Sequence, residues 1–178
     1  MRQPIITANW KLHKTIAEAR QFVAALSRQC PAPGPLDVVI AAPFTALAAL
    51  QDELRATPFR LAAQNLFWEN SGAYTGEVSA PMLVDVGCSY VIIGHSERRQ
   101  YFGETDATVA QKVAAALQAG LRPIVCLGDS LAQRQAGETF AVLERQMRHG
   151  LAACQNAAML QVVLAYEPLW AIGTGVTA

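Results

Sequence analysis

Short apolar runs, rich in β-branched residues and bounded by proline, glycine or asparagine, recur along the whole chain. Successive positions within each run are apolar, which is typical of parallel strands that are buried on both faces. We therefore predict about six strands, at residues 5–8, 38–41, 61–63, 90–93, 124–127 and 162–165.

The segments between these runs carry apolar residues at helical spacing, and such stripes predict helices that pack one face against the strands. Ser130, followed three residues later by a glutamine, predicts a capped helix start, and Gly120 predicts the end of a helix that begins near Asp106. The two clearest stripes are Ile16, Ala19, Val23 and Leu26, and Phe140, Leu143, Met147 and Leu151. Strand and helix therefore alternate along the chain.

Repeated strand-helix units force parallel strands with crossover connections, so the predicted fold class is α/β. The hydrophobic pattern alone leaves two architectures open, a doubly wound open sheet and a closed barrel. The first strand runs into Asn9, Trp10 and Lys11 without the glycine-rich turn that a dinucleotide-binding sheet uses for pyrophosphate.

Polar residues instead follow one predicted strand after another. In a parallel barrel all such positions lie at one end, where the active site is built. They are Asn9 and Lys11, Gln64 and Asn65, residues 95–99, Asp129 and Glu167.

The composition of the 178 residues, 52% apolar and 16% charged, is typical of a globular protein, and we expect one domain over residues 1–178. Fourteen basic residues balance fourteen acidic ones without a run of either sign, so neither nucleic acid nor an anionic membrane is indicated as a partner. The first residues lack the apolar core of a signal peptide, and no segment approaches the apolar length that spans a bilayer. We expect a cytoplasmic enzyme.

The cysteines are widely scattered, form no C-x-x-C pair, and have no histidine at metal-ligand spacing. We expect them to be reduced packing residues, and we expect no metal site. The four are Cys30, Cys88, Cys126 and Cys154.

Glu167 ends the last predicted strand and is followed by Pro168, which keeps the glutamate out of helical geometry and lets its carboxylate point along a barrel mouth. The next stretch, residues 169–175, combines apolar residues with two glycines. Such a stretch suits a lid that expels water and offers a bare amide to a phosphate. Plainer explanations are a solvated carboxylate at a strand end and an ordinary glycine turn.

A second buried strand delivers His95, and the polar segment after it predicts a short helix. Amides at a helix start favour the neutral imidazole, which can donate a hydrogen bond to a carbonyl and move protons. The alternative is a histidine that is satisfied by the backbone and does no chemistry. We expect Arg98 and Arg99 to be ion-pair partners rather than ligands.

Asn9 and Lys11 stand at alternate positions, so both side chains can point the same way from extended backbone. Lys11 would supply the local positive charge that the balanced composition lacks. The alternative is an ordinary surface lysine.

Five segments of the chain resemble the signature segments of the triosephosphate isomerase family, in that family's order and at its spacing. The resemblance covers essentially the whole chain. The segments are residues 8–11, 63–65, 72–77, 93–99 and 165–175.

The resemblance implies a (β/α)8 barrel that interconverts dihydroxyacetone phosphate and glyceraldehyde 3-phosphate, in glycolysis and gluconeogenesis, through an enediol(ate) and without a metal or organic cofactor. It implies that Glu167 is the base that removes a proton beside the carbonyl, and that neutral His95 polarises the carbonyl and moves protons between the oxygens. Asn9 and Lys11 would bind the triose phosphate substrate, and the amide of Gly173 would contact its phosphate.

The resemblance also implies supporting roles. Ser96 would hold Glu167 while the lid is open, and Glu97 would belong to a polar network around Lys11. Thr75 would lie in a loop that reaches into a neighbouring subunit, which implies a homodimer; the plainer alternative is an exposed turn. The implied lid residues are Pro168, Leu169, Trp170, Ala171, Ile172, Thr174 and Gly175.

Two departures from the family pattern are Asp129, where glutamate is usual, and Val176, where lysine is common, and we expect modest effects from both. A barrel of this type needs eight strands and about 250 residues, whereas about six strands are predicted here. We therefore expect a barrel truncated after about six βα units. The alternative to an active isomerase is an inactive fragment that needs a partner chain or its missing C-terminal part.

Overall fold

The computed structural model describes residues 3–154 and 157–171. All six predicted strands are confirmed, with ends that differ from the prediction by one or two residues. They are β1 (Ile5–Asn9), β2 (Asp37–Ala42), β3 (Arg60–Ala63), β4 (Cys88–Ile93), β5 (Arg122–Leu127) and β6 (Val163–Tyr166).

Helices occupy the segments between the strands. Within the described part of the chain, none of them combines the length and the apolar character needed to cross a membrane. The α-helices are α1 (Ile16–Gln29), α2 (Phe44–Leu54), α3 (Ala80–Asp85), α4 (Ser96–Tyr101), α5 (Asp106–Gln118), α6 (Leu131–Gln135) and α7 (Thr139–Gly150), and a 3-10 helix spans Ala158–Gln161.

The chain divides into two compact units. The first is built from the residues up to Val91 together with Ala119–Leu121, and the second from Ile92–Gln118 and the residues from Arg122 onward. The expectation of one domain over residues 1–178 stays a prediction.

The first unit is a parallel sheet in which β1, β2, β3 and β4 follow in chain order. Ile5 to Asn9 pair in register with Asp37 to Ala41. The core of this unit includes Val39, Ile40 and Leu50, none of which is exposed.

In the second unit β5 and β6 pair in parallel, with Ile124 opposite Val163 and Leu127 opposite Tyr166. Val109, Val113 and Val125 are fully buried here. The pairing matters for the site because it places the residues that follow β5 and β6 side by side.

The predicted helix signals are largely confirmed. Ser130 and Gln133 form a reciprocal capping box at the start of α6. The helix predicted from near Asp106 begins at that residue, and Gly120 lies just beyond its end with a left-handed φ of 81°. In α1 the stripe is confirmed at Ala19 and Val23, which are buried, and is wrong at Ile16, which is 42% exposed.

The stripe predicted for α7 is confirmed at Leu151, which is buried just beyond the helix, and is wrong at Phe140 and Met147. Phe140 is 85% exposed and Met147 is 40% exposed, whereas the buried residues of this helix are Val142, Gln146 and Gly150. A glutamine occupies the inward face because its amide oxygen and nitrogen each make a hydrogen bond there, and hydrophobic spacing cannot reveal such a pairing.

Candidate active site

His95 lies immediately after the turn that ends β4. Gly94 makes this turn with a φ of 74°, a left-handed conformation that favours glycine. The buried carboxylate of Glu104 accepts a hydrogen bond from the Gly94 N–H at 3.3 Å and is paired with Lys112 at 3.1 Å. The ion-paired Glu104 therefore fixes the backbone of Gly94, the residue before His95.

His95 is 5% exposed, and its imidazole caps the start of α4, the short helix that the sequence predicts. Its Nδ1 accepts the backbone N–H of Glu97 at 3.2 Å. The Glu97 carboxylate lies farther from the same nitrogen, at 3.5 Å. Because the backbone amide can only donate, Nδ1 is an acceptor in this contact, and the neutral tautomer that fits it carries its proton on Nε2.

Glu167 directly follows β6, and its backbone N–H donates to the carbonyl of Leu127 at 2.7 Å. Its Oε1 lies 3.1 Å from Nε2 of His95, and its Oε2 accepts the backbone N–H of Ser96 at 3.1 Å. The carboxylate therefore faces the protonated nitrogen of the imidazole and the first amide of α4.

Burial raises the pKa of the Glu167 carboxyl, but hydrogen bonds from His95, Ser96 and Cys126 outweigh burial and hold this pKa below its ordinary value. Glu167 is therefore ionised at neutral pH, as a base must be. The side chain is 21% exposed, which leaves it open to a small ligand.

Cys126, on β5, was expected only to pack. It is a free thiol and is 2% exposed. Burial and the neighbouring Glu167 raise its pKa, so it stays protonated and can donate to the carboxylate. No motif of metal or disulfide type marks this cysteine, so the sequence gives no sign of the contact.

The first lid residues lie against the loop that follows β5. Leu169 donates its backbone N–H to the Asp129 carbonyl at 3.2 Å, and the Trp170 indole N–H points to Oδ1 of Asp129 at 3.4 Å. Arg134 lies 4.0 Å from the centre of a Trp170 ring. Pro168 and Ala171 close a turn through a 2.9 Å backbone bond. The other predicted lid residues, Ile172, Thr174 and Gly175, and also Gly173 and Val176, lie outside the described residues.

Asp129, a departure from the family pattern that was expected to have a modest effect, is fully buried and makes the contacts with Leu169 and Trp170. It also accepts hydrogen bonds from Thr139 at 2.7 Å and Tyr166 at 2.9 Å. Burial raises the pKa of Asp129, but the bonds from Thr139, Tyr166 and Trp170 outweigh it and lower the pKa overall. The Asp129 carboxylate therefore binds both Tyr166, the residue before Glu167, and Trp170, near the start of the lid.

The extended backbone expected at Lys11 is not found. Its φ is 51°, a left-handed conformation that is unusual for a residue with a side chain. Asn9 Oδ1 accepts the Lys11 N–H at 3.0 Å, and the Gln64 amide donates to the carbonyls of Lys11 at 3.0 Å and Ala41 at 2.9 Å. The two predicted substrate residues are thus joined within the first unit, by contacts that alternation along a strand does not predict.

Other predicted residues lie as follows. Arg98 and Arg99 are ion-paired, to Glu104 at 2.9 Å and Asp106 at 2.6 Å, as expected. Thr75 is exposed, in a loop where Tyr74 packs on Phe67 with ring centroids 4.6 Å apart.

A cavity of about 280 Å³ adjoins Glu167 in the second unit. Gly128, Gln146, Arg99 and Leu169 contribute to its lining, and His95 does not. A substrate that meets both Glu167 and His95 must therefore extend beyond this cavity.

Parallel strands that carry a hydrogen-bonded carboxylate and imidazole at their carboxyl ends define an α/β enzyme that works by acid–base chemistry. Comparison with known proteins narrows the class. A family model described as triosephosphate isomerase matches residues 4–178. The triosephosphate isomerase of Moorella thermoacetica is 55% identical over the whole chain, which covers 71% of that protein. Those of Geobacter metallireducens and Chloroflexus aurantiacus are 52% and 53% identical over the same shares.

The chain therefore belongs to the triosephosphate isomerase family and is an isomerase. The predicted fold class is confirmed as the (β/α)8-barrel class, with six parallel strands among the described residues.

Proposed function

We propose that the protein interconverts dihydroxyacetone phosphate and glyceraldehyde 3-phosphate by moving one proton between neighbouring carbons. The observation that carries the proposal is the 3.1 Å contact between Oε1 of Glu167 and Nε2 of His95. It supplies an ionised base and a neutral acid side by side, which are the two groups that enolisation of a carbonyl compound needs.

In the proposed reaction, Glu167 takes the proton from the carbon beside the carbonyl, and the electron pair of that bond moves onto the carbonyl oxygen. His95 stabilises the oxygen by donating from Nε2 and transfers this proton to complete the enediol. His95 then takes the proton from the other hydroxyl of the enediol, and Glu167 returns its proton to the former carbonyl carbon. These two transfers give the isomeric product, with His95 neutral and Glu167 ionised again. Since His95 begins neutral, it acts as a donor before it acts as an acceptor.

The substrate is held, in this proposal, by the ammonium of Lys11, by Asn9 and by the amide of Gly173. Lys11 supplies a localised positive charge for the phosphate dianion, in a chain with no net charge. The Asn9 and Gln64 bonds fix the backbone from which the Lys11 side chain extends, which supports this placement. Ser96 steadies Glu167 through its amide, and Glu97 fixes the ring of His95.

Lid closure over the substrate is proposed for residues 168–175, with Trp170 leaving its contact on Asp129 as the lid moves. We also propose a cytoplasmic homodimer in which the exposed Thr75 loop meets a second copy. The aromatic packing of Tyr74 on Phe67 supports a loop with a defined shape.

The test is proton exchange at the substrate carbon, followed by NMR with dihydroxyacetone phosphate in deuterated water. The proposal expects incorporation of one deuteron at the carbon beside the carbonyl. It expects near-complete loss of incorporation in Glu167→Gln, and slowed conversion in His95→Gln. Arg148→Met, on the exposed side of α7, serves as control. Undiminished incorporation by Glu167→Gln would refute the assignment of the base.

A further inference from the structure

A buried amide on α7 has no place in the chemistry above. Gln146 is 5% exposed, on the face of the helix that also carries Val142 and Gly150. Glutamine is seldom buried so deeply, because its amide must recover every hydrogen bond that it gives up to water. The contacts of Gln146 explain its position.

Gln146 binds both backbone groups of a single residue. Its Oε1 accepts the N–H of Gly128 at 2.9 Å, and its Nε2 donates to the carbonyl of Gly128 at 2.9 Å. The side-chain amide thus pairs with Gly128 as a neighbouring strand would, and it fixes the backbone just beyond the end of β5 in two directions.

Gly128 lies directly against the backbone of the proposed base. A Cβ placed on Gly128 would be 2.0 Å from the carbonyl oxygen of Glu167 and 3.0 Å from Cδ1 of Leu169. The residues on either side of Gly128 bond to the same segment: Leu127 accepts from the Glu167 N–H at 2.7 Å, and Asp129 accepts from the Leu169 N–H at 3.2 Å. A shift of Gly128 therefore shifts Glu167.

We infer that Gln146 is a positioning residue for Glu167, acting from the helix through Gly128. The inference rests on the proposed function, in which Glu167 is the base. Its physical content is that the carboxylate must stay in line with His95 to within a fraction of an ångström, because a misplacement of about 1 Å costs about a hundredfold in rate. Apolar packing fixes a backbone less directionally than two opposed hydrogen bonds do.

The first experiment compares steady-state kinetics of Gln146→Met with those of Arg148→Met. Methionine keeps the length and approximate volume of glutamine but removes both bonds to Gly128, and Arg148→Met makes a matched change on the exposed side of the same helix. The inference expects kcat to fall about tenfold in Gln146→Met, equivalent to one to two hydrogen bonds, with KM changed less than about twofold. It expects no change in Arg148→Met.

A double-mutant cycle separates positioning from general damage. In the Glu167→Asp background the carboxylate is already displaced, so adding Gln146→Met should cost much less than tenfold. Full additivity would show that Gln146 does not act through Glu167. If Glu167→Asp itself leaves turnover unchanged, the proposed function fails; if it slows turnover while Gln146→Met does not, the inference alone fails.

Amide hydrogen exchange provides a readout that needs no turnover. In Gln146→Met the amides of Glu167 and Leu169 should exchange at least about tenfold faster, while Val125 in β5 keeps its protection. Equal acceleration at all three amides, together with a lower Tm, would mean that Gln146 only stabilises the fold, and it would overturn the inference.

Discussion

Nε2 of His95 and Oε1 of Glu167 lie 3.1 Å apart, although one residue follows β4 and the other follows β6. Each is held by backbone: His95 by the amide of Glu97, and Glu167 by its own amide on Leu127. The Ser96 amide also holds Oε2 of Glu167, so a substitution that changes the length of either side chain should change this separation.

Glu167→Asp withdraws the carboxylate by one methylene while the backbone stays in place. We expect kcat to fall by about a hundredfold, because the oxygen no longer reaches the reacting carbon. KM should change little, since the residues proposed to bind phosphate are untouched. Steady-state kinetics in both directions would measure the split. An unaltered kcat would mean that another residue is the base.

The lowered pKa of Glu167 predicts the acid side of the pH profile. Folding favours the ionised carboxylate, so protonation of Glu167 should lower kcat/KM only below the ordinary glutamate pKa of 4.5, beneath the decline that the substrate phosphate itself causes near pH ~6. By the same linkage, this group contributes stability that is fully present above pH 4.5 and is lost as the pH falls through the lowered native value.

The matched measurement is the Tm of the wild-type chain and of Glu167→Gln from pH 7 to pH 3. Their difference should be constant above pH 4.5 and should shrink below it. A difference that begins to shrink near neutral pH would show that the pKa is raised rather than lowered.

The left-handed φ of Lys11 predicts that two substitutions at this position lose activity alike but differ in stability. Both Lys11→Gly and Lys11→Ala remove the ammonium, so both should lose binding of triose phosphate. Glycine tolerates a φ of 51° and alanine does not, so the glycine variant should be the more stable by about 1 kcal/mol. Urea unfolding would measure this difference. Equal stability would show that the conformation costs nothing.

Gly128→Ala places a methyl carbon 2.0 Å from the carbonyl oxygen of Glu167, far inside van der Waals contact. Backbone must move, so we expect a loss of at least about 3 kcal/mol in stability, or no folded protein. Gly137→Ala is the control: it meets no atom within 4 Å and carries only the cost of its φ of 73°, about 1 kcal/mol. Similar unfolding midpoints for the two variants would contradict the close approach.

The strands were predictable because each is a continuous apolar run with its own boundaries. His95 and Glu167 were predictable because both stand at the ends of such runs. The inward face of α7 was not, since Gln146 is recognisable as an inward residue only once Gly128 is known to lie opposite. The conformation of Lys11 was missed for the same reason: it depends on Gln64, which is remote in sequence.

The bond from the Glu97 amide to Nδ1 dictates an order of events at the imidazole. A ring with one nitrogen permanently engaged by the main chain has a single proton to lend, and it must recover that proton before it can lend it again. In the proposed reaction each catalytic cycle must therefore return the ring to this tautomer before His95 can donate to the next substrate.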